Sequence, residues 1–237
     1  KDLQTDLQSL AKKANIVFRK GTEMINFKKD YYADVRIEDR FSTDIRFLNG
    51  KLSESKERLE KRAFLRVYDG KMWYYSSTTD TEHIQKSLDE LYEVAEPNPD
   101  IENNPVVKRF ERNTDHLRSF KENSVRNISI GEKTELLKSL APVTSMEECM
   151  SMPIGKYLDR NSLYEFKSSL GADISYDYQT CGVVLFCDMV EGEKKFSAMW
   201  QEGDTDFNSL KTKTESAENE FKEQVEFMRN SVPVEEG

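Results

Sequence analysis

Imidazole is nearly absent from this chain of 237 residues, which holds two histidines, His83 and His116. Neither belongs to a His-Glu-x-x-His or related pattern, so the sequence presents no histidine-built metal centre. Both are read as surface residues, His83 just before the apolar face of a helix and His116 in a basic polar stretch. Cysteine is equally sparse: Cys149, Cys181 and Cys187 make an odd set of three without metal-like spacing, which argues against a disulfide scaffold and for a reducing compartment. Cys181 and Cys187 fall on one face of a strand but about 20 Å apart, too far to share a metal or a disulfide. Cys149, beside Glu147 and Glu148, lacks the basic neighbours that activate a thiol. No run approaches the roughly 18 apolar residues of a membrane span, and no charged-then-apolar leader precedes the first helix. A glycine-rich phosphate loop and a Gly-x-Ser-x-Gly elbow are both missing. No excess of positive charge exists either: 33% of residues are charged, the formal balance is −9, and the two signs are interleaved, which disfavours nucleic acid as a partner. No catalytic, cofactor-binding or metal-binding residue is therefore nominated.

What is present is a dense set of strand and turn signals from Tyr32 to Ser77. Asn49-Gly50 and Asp69-Gly70 each stand between strand-like runs, and both dipeptides accept the positive φ of a two-residue hairpin turn. The stretch reads as four strands in two hairpins. Asp44 to Phe47 pairs with the polar run Lys51 to Lys61, whose charge suits a sheet edge. In the second hairpin, Val67 is set opposite Met72, Leu65 opposite Tyr74, Arg66 opposite Trp73 and Phe64 opposite Tyr75, with apolar bulk on both faces, as in mid-sheet. An amphipathic helix is predicted before the strands over residues 2 to 14. A second follows from Thr81, with Ile84, Leu88, Leu91 and Ala95 on one face.

Pro97, Pro99 and Pro105 are half of the chain's six prolines and mark a turn-rich connection. The boundary falls there, giving two units, 1–96 and 105–237. In the second, residues 106 to 127 are assigned to helix, and Ser129 with Glu132 has capping-box spacing before a helix that Pro142 ends. Leu163 to Phe166, a turn at Gly171, and the alternation of Ala172, Ile174, Tyr176 and Tyr178 with polar residues predict strands whose apolar side is buried. Val183 to Phe186 is apolar on both faces and predicts a central strand, which Glu191-Gly192-Glu193 turns into Phe196, Ala198 and Trp200. A single helix from about Asp206 to Asn230 carries Phe207, Leu210, Ala217, Phe221, Val225 and Met228 inward. The expected class is α+β: two sheet-and-helix units of antiparallel hairpins with flanking helices.

Asp34, Asp44, Asp69, Asp173 and Asp177 lie on the polar sides of strands or in turns and are read as solvated rather than as a carboxylate pair. Tyr68, Trp73, Tyr74 and Tyr75 with Arg66 could stack bases. A packed sheet face with one arginine over Trp73 fits the acidic chain better.

The runs Tyr32-Ala33-Asp34-Val35-Arg36-Ile37, Phe47-Leu48-Asn49-Gly50-Lys51-Leu52, Leu65-Arg66-Val67-Tyr68-Asp69-Gly70 and Tyr74-Tyr75-Ser76-Ser77 together resemble the amino-terminal region of the TldD/PmbA family. Its members are also called microcin-processing metallopeptidases or modulators of DNA gyrase. Phe166-Lys167-Ser168-Ser169-Leu170-Gly171-Ala172-Asp173-Ile174 is similar to the family's strand, Ser-x-Gly turn and strand, and Val232 to Gly237 resembles the linker into its catalytic half. Lys61, Ala63 and Trp73-Tyr74-Tyr75-Ser76 depart from it, placing bulk where the family has glycines and a Gly-Phe-Ala-Ser. The resemblance implies a two-part, non-catalytic amino-terminal region of a zinc metallopeptidase acting on unfolded peptides. It also implies a homo- or heterodimer with a related subunit, and a cleft in which peptide adds to a sheet edge as a strand. The zinc motif belongs to the catalytic half, so no zinc residue carries over. The alternative is a stand-alone protein- or peptide-binding module on the same scaffold. A His-Glu-x-x-x-His run encoded after Gly237 favours the first and a stop codon the second. The expected compartment is the cytoplasm, or outside it if a leader preceded Lys1.

Overall fold

A computed structural model describes residues 25–232 and Val234. The expected helix over residues 2 to 14 lies outside the described residues. Strands β1 (Tyr32–Leu48), β2 (Lys51–Tyr68) and β3 (Trp73–Thr78) come first, followed by helix α1 (Ile84–Val94). After a stretch of 3-10 turns and the short β4 (Thr114–Leu117) come α2 (Ile130–Leu140), β5 (Met150–Ser168), β6 (Asp173–Glu191), β7 (Lys194–Asp204), α3 (Phe207–Leu210) and α4 (Thr214–Asn230).

The strands form one sheet in the order β3-β2-β1-β5-β6-β4, with β7 also paired to β6. The class is α+β and the hairpins are antiparallel, but the two sets of strands share this sheet. β1 pairs β5 antiparallel from Asp34↔Ser168 to Leu48↔Ile154. Where the sequence predicts four short strands, β1 and β2 each run unbroken. The charged residues between their apolar ends stay extended because partners across the ladder complement them, Glu38 opposite Arg62 and Asp44 opposite Lys56. Asn49 and Gly50 take positive φ, 50° and 71°, and close the hairpin in the predicted place.

The second hairpin is slipped by two residues from the predicted register, with Tyr68 opposite Trp73 and Val67 opposite Tyr74. Asp69 causes the slip. Its Oδ1 accepts the N–H groups of Lys71 and Met72, which builds a four-residue loop where two residues were expected. Gly70 turns that loop at φ +100°. A slip of two keeps every side chain on its predicted face. β3 lies at the end of the sheet rather than within it.

One face of the sheet is covered by helices. Ala33, Val35, Ile37, Leu65 and Val67 form a core with Ile84, Leu88 and Leu91 of α1. Further along the same face of β1, Phe41, Ile45 and Phe47 join a larger core with Leu137 and Leu140 of α2 and Phe221, Val225 and Met228 of α4. Between them on β1 lies a polar seam. The Arg126 guanidinium donates to Asp39 Oδ1 at 3.0 Å and to Asn161 Oδ1 at 2.7 Å, and burial holds its pKa below the usual arginine range.

Helix signals were legible where a cap or an apolar period was strong. Ser129 Oγ accepts the N–H of Glu132 at 3.2 Å and starts α2 as expected. The closing helix is broken: α3 ends at Leu210 and α4 starts at Thr214, although all six expected apolar residues are buried. Residues 106 to 127 are not a helix. They hold 3-10 turns at Val107–Arg109 and Val125–Asn127 and the strand β4, parallel to β6. Their backbone is satisfied by side chains of β6, with Asp177 accepting the N–H of Ser119 and Phe120 and Gln179 that of Val125.

Candidate functional site

The face of the sheet opposite the helices carries the candidate site, and β6 explains why it is apolar. The alternation Ala172 to Gln179 predicts Ile174, Tyr176 and Tyr178 inside and their polar neighbours outside. Beyond the turn residue Ala172, which is buried, the reverse is found. Gln179 is fully buried and Ser175 nearly so, whereas Tyr176 and Tyr178 are 46% and 51% exposed. Gln179 points inward because it satisfies the 119–125 loop and Thr205 O, and Asn161 donates to it at 3.1 Å. Meeting those loop groups with side-chain hydrogen bonds outweighs burying two tyrosines. The apolar side is thereby left on the face opposite the helices.

Across that face the strands line up a groove of about 920 Å³. Arg36 and Glu38 of β1, Arg62 and Phe64 of β2, Phe166 of β5 and Ile174 of β6 lie along it. Tyr164 and Tyr176 stack at 5.0 Å on one side. Glu38 is the electrostatic hub. Its Oε1 accepts from Arg40 Nε at 2.9 Å and Tyr164 Oη at 3.1 Å, and its Oε2 accepts from Arg62 Nε at 2.8 Å. Burial acts to raise the Glu38 pKa, but the hydrogen bonds from Arg62 and Arg40 outweigh it and hold the carboxyl below its usual range. The Arg36 guanidinium lies 5.6 Å over the Phe166 ring, and its nearest carboxylate oxygen, on Asp34, is 3.8 Å away.

Asp34 is not solvated, as the sequence suggested, but fully buried. It accepts from Arg66 Nε at 3.0 Å and from the Tyr32 hydroxyl at 3.0 Å. Arg66 in turn lies 4.5 Å over the Trp73 ring, the expected arginine-over-tryptophan contact. Trp73 stacks on Tyr68 at 4.7 Å and meets Tyr32 edge-on in a packed cluster, whereas Tyr74 packs against the core on the helix side and Tyr75 is 56% exposed. Asp69 is likewise buried as the loop's cap. Burial acts to raise its pKa, and the N–H groups of Met72 and Lys71 with the Tyr74 hydroxyl bring it below the usual range. Asp44 lies half-buried on the open face, with Oδ1 buried and without a hydrogen-bond partner. Asp173 and Asp177 are half-buried on β6.

At the rim, the outer edge of β2 from Lys51 to Arg62 pairs with no strand among the described residues, because β3 reaches only from Ala63 to Tyr68. That edge was expected from its charge. The opposite rim is closed at one point: Gln224 of α4 accepts the N–H of Met199 on β7 at 3.0 Å and donates to its carbonyl at 2.9 Å.

The residues present do not fit a zinc site. His83 Nδ1 faces Asp80 at 2.9 Å before α1, and His116 Nδ1 faces Ser175 Oγ at 2.9 Å on β4. All three cysteines are free and buried, and burial pushes the Cys181 thiol up to about 12 and that of Cys187 up to about 11, far from the thiolates zinc requires. Among the described residues no three His, Cys, Asp or Glu side chains converge as a metal set, and no helix is long and apolar enough to cross a membrane.

Residues 33–96, which take in nearly all of β1 together with β2, β3 and α1, match the family model of PmbA/TldA metallopeptidase domain 1. Comparison with curated proteins gives no match. Among solved structures, a candidate modulator of DNA gyrase from Thermotoga maritima superposes with a TM-score of 0.68 at 16% identity, over 97% of this chain and 49% of its own. TldE from Thermococcus kodakarensis gives 0.65 at 10% identity, over 86% and 46%. A second candidate gyrase modulator, from Bacteroides thetaiotaomicron, gives 0.60 at 15%, over 82% and 45%. The fold is thus that of the gyrase-modulator class, shared at low identity. Within that class the resemblance is to TldD/PmbA-like proteins, and this chain spans about half the length of the structures it matches.

Proposed function

We propose that this chain is a non-catalytic portion of a TldD/PmbA-like assembly and presents unfolded peptide to a zinc peptidase centre that its own residues do not form. The carrying observation is the aromatic-lined sheet face together with the β2 edge from Lys51 to Arg62, which pairs with no strand among the described residues. An exposed edge offers backbone N–H and C=O groups to an extended chain, and main-chain pairing is indifferent to sequence except at proline. The match of residues 33–96 to the first domain of the metallopeptidase family supports the same reading. In this reading the chain acts as a homo- or heterodimer with a related subunit, and the open face contributes to the cleft. A stand-alone peptide-binding module would use the same edge and face, and the coding sequence after Gly237 separates the two.

The test is titration of unrelated extended peptides against the chain, repeated with alternate backbone nitrogens methylated. Methylation on the pairing side is expected to abolish binding, while side-chain changes alter it modestly. Unchanged binding after methylation eliminates strand addition.

A further inference from the structure

On the open face the groove is rich in arginine, although the chain as a whole carries −9; Glu165 also borders it but stands opposite Ile37 and so points to the helix-covered side. Arg40 and Arg62 both pair with Glu38, and Arg66 pairs closely with Asp34, which leaves Arg36 a looser 3.8 Å approach to Asp34. Glu38 is already taken up by Arg40, Arg62 and Tyr164. Arg36 makes no hydrogen bond among the described residues, and its side chain is 54% exposed. On the sheet it sits opposite Phe64, diagonal to Arg62 and about 7–8 Å from it. Two guanidinium groups with donors to spare therefore overhang a floor of Phe64, Phe166 and Ile174.

Resting on the peptide-binding reading above, we propose that this groove captures the carboxy terminus of a peptide ending in an aromatic or large aliphatic residue. Arg36 and Arg62 hold the α-carboxylate and the floor takes the last side chain. Planar guanidinium groups match a carboxylate geometrically, and the apolar floor excludes a bare inorganic anion as the best ligand. A peptide amino terminus is repelled by the same arginines. An internal Asp or Glu fits less well, because adjacent side chains of an extended chain point to opposite faces. Its carboxylate would meet the arginines while its apolar neighbours turned away from the floor. At the carboxy terminus both groups belong to one residue.

The test uses the full chain and pentapeptides ending in Phe, as the free acid and as the amide, followed by fluorescence anisotropy. A third pentapeptide carries an internal Asp and an amidated end. The free acid is expected to bind about tenfold or more tighter than either, the size of effect a charge-assisted hydrogen bond gives. Arg36→Gln, at a half-exposed position outside both cores, is expected to erase that preference with an unchanged melting temperature, and Arg36→Lys to restore part of it. Equal binding of acid and amide, a preference that survives Arg36→Gln, or failure of all three pentapeptides to bind would each overturn the proposal. A long, amidated unfolded polypeptide serves as a separate arm. If it binds while the pentapeptides show no preference, the peptide-binding reading stands and the carboxy-terminal site falls. If it does not bind, the broader reading fails as well.

Discussion

The Lys133 ammonium lies 2.7 Å from the Asp159 carboxylate with both side chains wholly removed from solvent. Lys133 Nζ also reaches Thr43 Oγ1 at 2.8 Å, and Asp159 accepts from the Tyr157 hydroxyl at 2.8 Å and from the Thr43 N–H at 2.9 Å. Helix α2, β1 and β5 are tied together by one pair of charges. Removing one partner strands the other charge in the core, so Lys133→Met is expected to cost about 3–5 kcal/mol. Urea denaturation measures it. A loss under about 1 kcal/mol would mean that Asp159 finds another partner or a proton.

Acid stability should follow Glu38 and Asp69. Both carboxyls have folded pKa values below their ordinary ones, so the folded state binds their protons less readily than the unfolded state. Their contribution is therefore fully present above about pH 4.5 and is lost as pH falls through the lower folded values. Glu38→Gln is expected to flatten the acid limb of a melting-temperature profile below pH 4.5 while leaving the slope near neutrality unchanged. An unaltered acid limb would contradict the role given to the Arg40 and Arg62 contacts.

Metal content offers a direct check on the separation of this chain from the zinc chemistry. His83 and His116 occupy separate elements and the cysteines are buried thiols. The purified chain is expected to hold no stoichiometric zinc after a chelator wash. About one zinc per chain, retained through that wash, would contradict the assignment.

Proteolysis probes the two halves. We propose that they are separate units of stability, each with its own core, although the sheet is common to both. The first cut is expected between Pro97 and Pro105, with the fragments co-eluting because β1 and β5 remain paired. A first cut inside β1, β5 or β6 would oppose the division.

Local chemistry made part of this fold legible in the sequence. Asn49-Gly50 fixed its own hairpin, Ser129 its own helix start, and the apolar period of Phe221, Val225 and Met228 its own buried stripe. The pairing of β1 with β5 has no such signature, because it joins residues well over a hundred positions apart through side chains ordinary on any strand. The loop at Asp69 slipped the second hairpin through two hydrogen bonds from one carboxylate, a choice that Asp-Gly alone does not reveal. The candidate site was hidden for a related reason. Tyr176 and Tyr178 looked like core and Gln179 like surface, and only the 119–125 loop, packed on the other side, inverts them. Asp34, Arg36 and Glu38 alternate with Val35 and Ile37, which marks a half-buried strand but not the hub that Glu38 forms. Its partners Arg62 and Tyr164 come from strands that the sequence does not place beside it.

Amide hydrogen exchange of the chain, with and without a saturating unfolded peptide, tests the central claim most directly. The account predicts new protection along Lys51–Arg62 and in the strands beneath the groove, with α1, α2 and α4 unchanged. Protection confined to the helical face, or none at any peptide concentration, would contradict it.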